Sequence, residues 1–426
     1  RWFLVKQIYK IDNNKFNSIY VSFNYTMNVN KEELSKSALL ASVMSKSSKK
    51  YKTQTDIEKH LSKLYGSNFD VNVQKVGDLY SIEFRVECVN KKYLPNNVDV
   101  LNDCLEFLNE IIYNPNVENE NFDKDIVEKE RESILQKILS RRDDKTAYAV
   151  YRTEQLLCNG QIAGEFLFGD EEIVKNITSS DLYEQYNKML NESCITVIVS
   201  GNLEGHENVD EQIKGIFKDK IDSKFSYDSL EVNSSRNDKN IDVNEVSESQ
   251  ETAQSIITFG MRVLNPKDRD FYVLNVYNAI LGSTPSSKLF QNFREKESLA
   301  YTVRSRFYRF KNIIVIYAGI QKKNYEKAKK VIYDQLNQIV NGEISKEEFD
   351  AAKQSILSDL IEWEDSKIAI AKMLFSNLFA FKNDKITIKD MYENIQKVTL
   401  EDVKEVANRI KVEQIYLLGG EADVQN

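Results

Sequence analysis

The chain is poor in the residues that break regular structure and in the residue best suited to bind metals. It has only 14 Gly and 4 Pro in 426 residues. So few breakers favour long helices and regular strands over a loop-rich fold. Its four cysteines, Cys88, Cys104, Cys158 and Cys194, are scattered and form no CxxC pair. That spacing excludes a dense disulfide framework and a cysteine-built zinc site, and it predicts free, mostly buried thiols in a cytoplasmic protein. No run approaches the roughly 20 apolar residues that a membrane helix needs. Arg1 to Lys6 are not followed by a signal-peptide core. The first residue is not Met, which leaves a preceding segment open. No GxGxxG follows a strand, and there is neither a GxxxxGK[ST] loop nor a GxSxG elbow, so phosphate cradles and hydrolase nucleophiles of those types are excluded.

Histidine is the decisive scarcity. Only His60 and His206 exist, far apart in sequence. Neither has a second histidine at metal-ligand spacing. His60 lies in the charged stretch Asp56-Ile57-Glu58-Lys59-His60, and His206 follows Gly201 between Glu204 and Glu207. Both are expected to be ordinary surface histidines. Carboxylates carry no specificity in a chain with 66 of them. The net charge of −8 and pI near 5.3 disfavour a general nucleic-acid or anionic-membrane binder.

What is present is 41% hydrophobic and 29% charged material, enough for several cores. At about 100–200 residues per domain the length suggests two to four domains. Strands are expected over 18–27, 68–76, 79–88 and 195–199, and helices over 34–46, 54–65, 122–157 and 179–190. Between them, Val98, Leu101, Leu105, Leu108 and Ile112 mark one face of an amphipathic helix. The order then repeats, with strands over 254–261, 300–309 and 312–320 and a closing strand at Ile415–Leu418. Val98, Leu101, Leu105 and Ile112 map onto Tyr325, Ala328, Ile332 and Ile339 with one constant offset, which also carries Phe122 onto Phe349. Ser133-Ile134-Leu135 matches Ser355-Ile356-Leu357 at a slightly smaller one. An ordered series of this kind indicates an internal duplication of two α+β domains, each an antiparallel sheet with helices packed on it. The boundaries expected are 1–222, a polar linker at 223–251 containing Asn233-Ser234-Ser235-Arg236-Asn237-Asp238, and 252–426. Two such copies can face each other as a clamshell with a site between them, or pack with none.

The most specific stretch runs from Leu281-Gly282-Ser283-Thr284-Pro285-Ser286-Ser287-Lys288-Leu289-Phe290 to Arg294-Glu295-Lys296-Glu297-Ser298-Leu299-Ala300-Tyr301. It resembles the second-domain signature of the insulinase/pitrilysin (inverzincin) peptidases, in which a turn leads to a helix ending Arg-Glu-x-x-x-Leu-x-Tyr and then a strand. The duplication extends the resemblance over essentially the whole chain. It implies an insulinase/mitochondrial-processing-peptidase-like fold, and is nearest to the metal-free member of bacterial subunit pairs.

The family's zinc motif is HxxEH on the first helix, with a distant Glu as third protein ligand. Carried over from the Lys46–Thr53 stretch, the two histidine positions fall on Ala38 and Ser42 and the general-base position on Ala41. The third-ligand helix resembles Glu130–Lys137, and its final Glu falls on Lys137. Two histidines four apart on one helix face bind one zinc, and the intervening Glu deprotonates the zinc-bound water. Ala38, Ala41 and Ser42 supply neither ligand nor base. The resemblance thus implies no catalytic residue, no metal ligand and no cofactor in this chain, with zinc in an HxxEH-bearing partner and peptidase activity only in the pair.

The same resemblance makes Arg294 and Tyr301 the substrate-binding pair, donors to a peptide carbonyl beside the partner's zinc. Read without the family, Arg294 is a helix-surface residue paired with Glu295 or Glu297 and Tyr301 a half-buried strand tyrosine. Thr284 and Pro285 suit a helix N-cap and first turn. Arg304 and Arg306 alternate onto one face of the following strand, a solvated one or a chamber wall. The alternative to a peptidase subunit is a degenerate peptidase fold used as a scaffold or peptide-binding interaction protein. No nucleic acid or membrane partner is expected.

Overall fold

A computed structural model of the chain describes residues 7–222, 225–227, 230–232, 242–383 and 385–419, and of Tyr301 the backbone alone. The first half runs β1 (Ile8–Asp12), β2 (Ser18–Asn28), α1 (Lys31–Met44), α2 (Gln54–Lys63), β3 (Asn68–Val76), β4 (Leu79–Val89) and α3 (Val100–Tyr113). A short ribbon, β5 (Val117–Glu118) and β6 (Asn121–Phe122), leads to α4 (Lys124–Ser140) and α5 (Lys145–Leu157). The half closes with α6 (Glu171–Asn176), α7 (Ser179–Glu192), β7 (Cys194–Gly201) and α8 (Val209–Phe217). The second half runs β8 (Asn244–Ser249), β9 (Ser255–Val263), α9 (Asp270–Asn278), β10 (Ala300–Tyr308), β11 (Ile313–Ile320) and α10 (Tyr325–Asn341). It ends with α11 (Lys346–Trp363), α12 (Lys367–Phe381), α13 (Ile388–Gln396), α14 (Leu400–Asn408) and β12 (Ile410–Gly419).

The duplication is visible in strand order. One five-stranded sheet is ordered β1-β7-β2-β4-β3 and the other β8-β12-β9-β11-β10, the same path through equivalent strands. The expected antiparallel sheets need one correction. In each sheet the edge pair, β1 with β7 and β8 with β12, is parallel. Neither β1 nor β8 was legible. The sequence of β8, NEVSES, carries a single apolar residue, because an edge strand with solvated faces needs little apolar surface. It falls inside the stretch expected to be linker, whose residues 233–241 lie outside those described. The central strands behave as predicted: β2, β7 and β9 are buried almost end to end.

The chain divides into two compact units, but not at a single point. One comprises Arg1–Leu139, Glu165–Val232 and Asp365–Asp384; the other comprises Ser140–Gly164, Asn233–Glu364 and Lys385–Asn426. The repeats therefore exchange equivalent helices: α5 belongs to the second unit and α12 to the first. In the second unit, Tyr148 and Ala149 of α5 pack with Ile256, Tyr416 and Leu418, while Leu157 packs with Ile313 and Val315. Gly260 of β9 permits this approach, since a Cβ there would lie 2.5 Å from Leu157 Cδ1 and 2.8 Å from Thr153 Cγ2. Arg262, buried and paired with Glu413 at 2.8 Å, also donates to the Leu157 carbonyl at 2.5 Å, anchoring the end of α5. In the first unit, Lys367 at the start of α12 pairs with Glu87 at 2.7 Å, and the following Ile370, Leu374 and Leu378 are buried. All four cysteines are free and buried. No helix among the described residues is long and apolar enough to cross a membrane.

Candidate functional site

The first-unit position begins on α1. Asn30 and Glu33 form a reciprocal capping box that sets the start of the helix. Ala38 and Ala41, at the first-histidine and general-base positions, are 2% and 3% exposed, so small side chains fill the space against neighbouring elements. Ser42 stands at the second-histidine position, and its Oγ donates to Glu130 Oε2 of α4 at 2.6 Å. Glu130 is itself buried. The expected third-ligand position, Lys137, lies two turns further along α4; it is exposed, with its ammonium 4.9 Å from the Phe168 ring centroid. Thus α4 turns Glu130, not Lys137, towards Ser42. One carboxylate, one hydroxyl and two methyl groups do not make a zinc site. Among the described residues no grouping of three or more His, Cys, Asp or Glu is placed to hold a metal.

The histidines are elsewhere, and neither is a plain surface residue. His60 is half-buried and stacks against Tyr51 and Phe107, with centroids 4.9 and 5.5 Å away. His206 is 5% exposed, and its Nε2 has no hydrogen-bond partner. Burial, with help from Lys91, holds the His206 imidazolium below the usual histidine range against the opposing pull of Asp99 and Glu207. Burial and Lys50 lower His60 likewise. Both expectations of surface histidines are corrected: a loop gave no periodic signal of burial, and the α2 pattern hid an aromatic contact.

The second-unit position is built from the signature segment. Helix α9 continues into wider, π-type turns at Ala279–Ser283. Gly282 is required there, because a Cβ would meet the Ser305 backbone nitrogen at 2.9 Å. Ser305 Oγ donates to Asn278 Oδ1 at 2.8 Å, locking β10 to this helix end. Thr284 does not cap the next helix as expected. Its hydroxyl donates backwards to the Ala279 carbonyl at 3.1 Å, and the Ser287 amide and hydroxyl bind the Thr284 carbonyl in a tight turn. The following helix, Leu289–Lys296, again has π-type bonding, with the Glu297 amide reaching the Asn292 carbonyl at 3.1 Å. Ser298 then takes a left-handed φ of 50°, which ends the helix and turns the chain into β10.

Arg294 and Tyr301 thus sit on consecutive elements, the helix and β10. Arg294 is partly exposed. Its guanidinium lies over the Phe290 ring at 4.6 Å, and its Nε is 3.6 Å from Glu295 Oε1. Tyr301 has its backbone in β10, and its side chain lies outside the described atoms. Arg304 and Arg306 are both exposed on one face of β10, as alternation predicted. Lys327 holds the Glu297 carboxyl below the usual range, across a 2.8 Å ion pair.

Two repeats with one sheet order, exchanged helices, no histidine on the first helix and the signature helix–strand pair in the second fit an inactive-type metallopeptidase fold. The family described as Peptidase M16 inactive domain matches residues 176–356, which include the whole signature. A protein of Bacillus subtilis strain 168 named "Probable inactive metalloprotease YmfF" is 28% identical over 407 residues, covering 95% of this chain and 94% of that one. A conserved protein from Enterococcus faecalis V583, known from its crystal structure, superposes with a TM-score of 0.88 at 26% identity, over 98% of this chain and 97% of that one. The peptidase M16 inactive domain from Pseudomonas fluorescens shares the fold, with a TM-score of 0.77 at 14% identity over 97% and 95% of the two chains. Over residues 176–356 the chain thus resembles the peptidase M16 inactive domain, and over nearly its whole length a protein named as a probable inactive metalloprotease.

Proposed function

We propose that this chain is the non-catalytic subunit of a heterodimeric zinc metallopeptidase. In this reading Arg294 and Tyr301 bind the peptide substrate beside a zinc ion held by an HxxEH-bearing homologue. The observation that carries the reading is the asymmetry between the repeats. The first has lost every donor of the motif, at Ala38, Ala41 and Ser42, while the second keeps the signature from Leu281 to Tyr301 intact. A guanidinium and a phenol both donate hydrogen bonds to a carbonyl and stabilise an oxyanion as charge develops on it. Those donors serve hydrolysis only where another chain brings the metal and the base. A cytoplasmic location belongs to the same reading and is supported by the four free cysteines.

The test is co-expression with an HxxEH homologue, followed by native mass spectrometry and a peptidase assay. A one-to-one complex with activity absent from this chain alone is expected. A chain that stays monomeric beside every such homologue sinks the proposal. The second reading, a scaffold or peptide-binding interaction protein with no role in proteolysis, draws on Arg294 being already engaged by Glu295 and Phe290. It requires a complex, if any, without hydrolysis.

A further inference from the structure

The helix that precedes the last strand of each sheet is built differently in the two repeats. In the first, α2 precedes β3 and is an ordinary α-helix, its start fixed by a reciprocal capping box between Thr53 and Asp56. In the second, the helix Leu289–Lys296 precedes β10. It has no side-chain cap, and its wider turns close with the Glu297 amide on the Asn292 carbonyl at 3.1 Å. Turns of this π type are rare in helices and gather at functional sites, so neighbouring groups must hold the winding in place.

Leu289 and Phe293 are fully buried, and beside them Lys288 and Asn292, four apart, share one side of the helix. Lys288 is 4% exposed. Its ammonium pairs with Glu348 Oε1 of α11 at 3.1 Å and donates to Gln338 Oε1 of α10 at 3.4 Å. Glu348 is itself held, because its other oxygen accepts from the Ser345 amide at 2.8 Å in the α11 capping box. Asn292 Nδ2 donates to Oε1 of the buried Gln335 of α10 at 2.6 Å, and Asn292 Oδ1 accepts from Lys296 at 2.8 Å. Burying an ammonium costs free energy that an apolar side chain would not, so the pair adds direction more than stability. Residues two apart on a helix do not share a face, so this anchoring leaves Phe290 and Arg294 on the other side, where the guanidinium lies over the ring. We propose that Lys288 and Asn292 are positioning residues: anchored on α10 and α11, they hold the helix in its π winding and thereby set the direction of Arg294. Rewinding to an α-helix would swing Arg294 relative to Lys288 by roughly a quarter turn or more. This deepens the subunit reading by naming what holds Arg294 in place, and rests on that reading for the catalytic consequence.

The experiment has two arms. In the first, the full chain without any partner is followed by hydrogen-exchange mass spectrometry. Lys288→Met and Asn292→Leu should each speed exchange of the amides from Gln291 to Leu299 about tenfold, the scale of one lost hydrogen bond, with the rest of the chain unchanged. In the second arm, the complex reconstituted with an HxxEH homologue is assayed. Each variant should lower kcat by about ten- to a hundredfold, as misplaced groups do, with KM little changed. In an Arg294→Ala background neither should lower kcat further, because a residue that acts through Arg294 then has nothing left to place. Lys288→Arg, which keeps a cation for Glu348 and Gln338, should recover both readouts. Unchanged exchange in both variants would overturn the proposal whatever the complex does. Faster exchange with full kcat, or a further fall in the Arg294→Ala background, would overturn the positioning role. A wild-type complex without activity would sink the subunit reading instead, and the exchange arm alone would then decide whether Lys288 and Asn292 hold the helix.

Discussion

Ser42 Oγ donates to Glu130 Oε2 at 2.6 Å, joining α1 to α4 through the residue that the sequence resemblance places at the second histidine of the zinc motif. A buried carboxylate left without its partner costs about 1–3 kcal/mol. Ser42→Ala should therefore lower stability by that amount in urea unfolding, and Ser42→Thr, which keeps the hydroxyl, by less. Saturating zinc should leave the thermal midpoint of the wild-type chain unchanged, because ligand binding to the native state would raise it. A zinc-dependent rise would mean that other donors assemble a site.

The helix exchange has its own test at Gly260. A Cβ there meets Leu157 and Thr153, and overpacking of this kind costs about 1–3 kcal/mol. Gly260→Ala should destabilise the chain within that range. Adding Leu157→Ala should recover part of the loss in a double-mutant cycle, because the two changes share one contact. Simple additivity would show that α5 does not lie across β9.

The two histidines set the sign of the pH dependence near neutrality. Burial holds both folded-state values below that of an unfolded histidine, roughly 6.5. Between the folded and unfolded values the unfolded chain binds more protons. Stability is therefore full above about pH 6.5 and declines as pH falls towards the folded values. His206→Gln should flatten the fall between neutral and mildly acidic pH in denaturant titrations, and His60→Gln should flatten what remains. A slope untouched by both variants would assign it to carboxylates.

Much of this architecture could be read from the residues. The α3 and α10 stripes share one spacing because Leu101, Leu105, Leu108 and Ile112 and, in the repeat, Ala328, Ile332, Leu336 and Ile339 are buried, whereas Val98, expected on the same face, precedes α3 and is exposed. The signature segment was legible because a glycine, a turn and an Arg–Tyr pair recur at fixed spacing. Three things were hidden for physical reasons. The apolar stripe of a helix shows which face is buried but not which sheet receives it, so nothing local marked α5 and α12 as exchanged. Edge strand β8 carries a single apolar residue and left no pattern, and β1, only five residues long, is too short to show one. On α4, Glu130 and Lys137 are seven residues apart and lie close to one face, so spacing alone did not decide which of them reaches Ser42.

In the proposed pair, Arg294 and Tyr301 serve hydrolysis only beside the partner's zinc. The most direct test is kcat/KM of the complex reconstituted with an HxxEH homologue, measured for wild type, Arg294→Ala, Tyr301→Phe and the double variant. Loss of a donor to a developing oxyanion lowers kcat by roughly 10²–10³-fold. The account predicts a fall of that order in the double variant, with the complex still formed and still folded. An unchanged kcat/KM in an intact complex would contradict it.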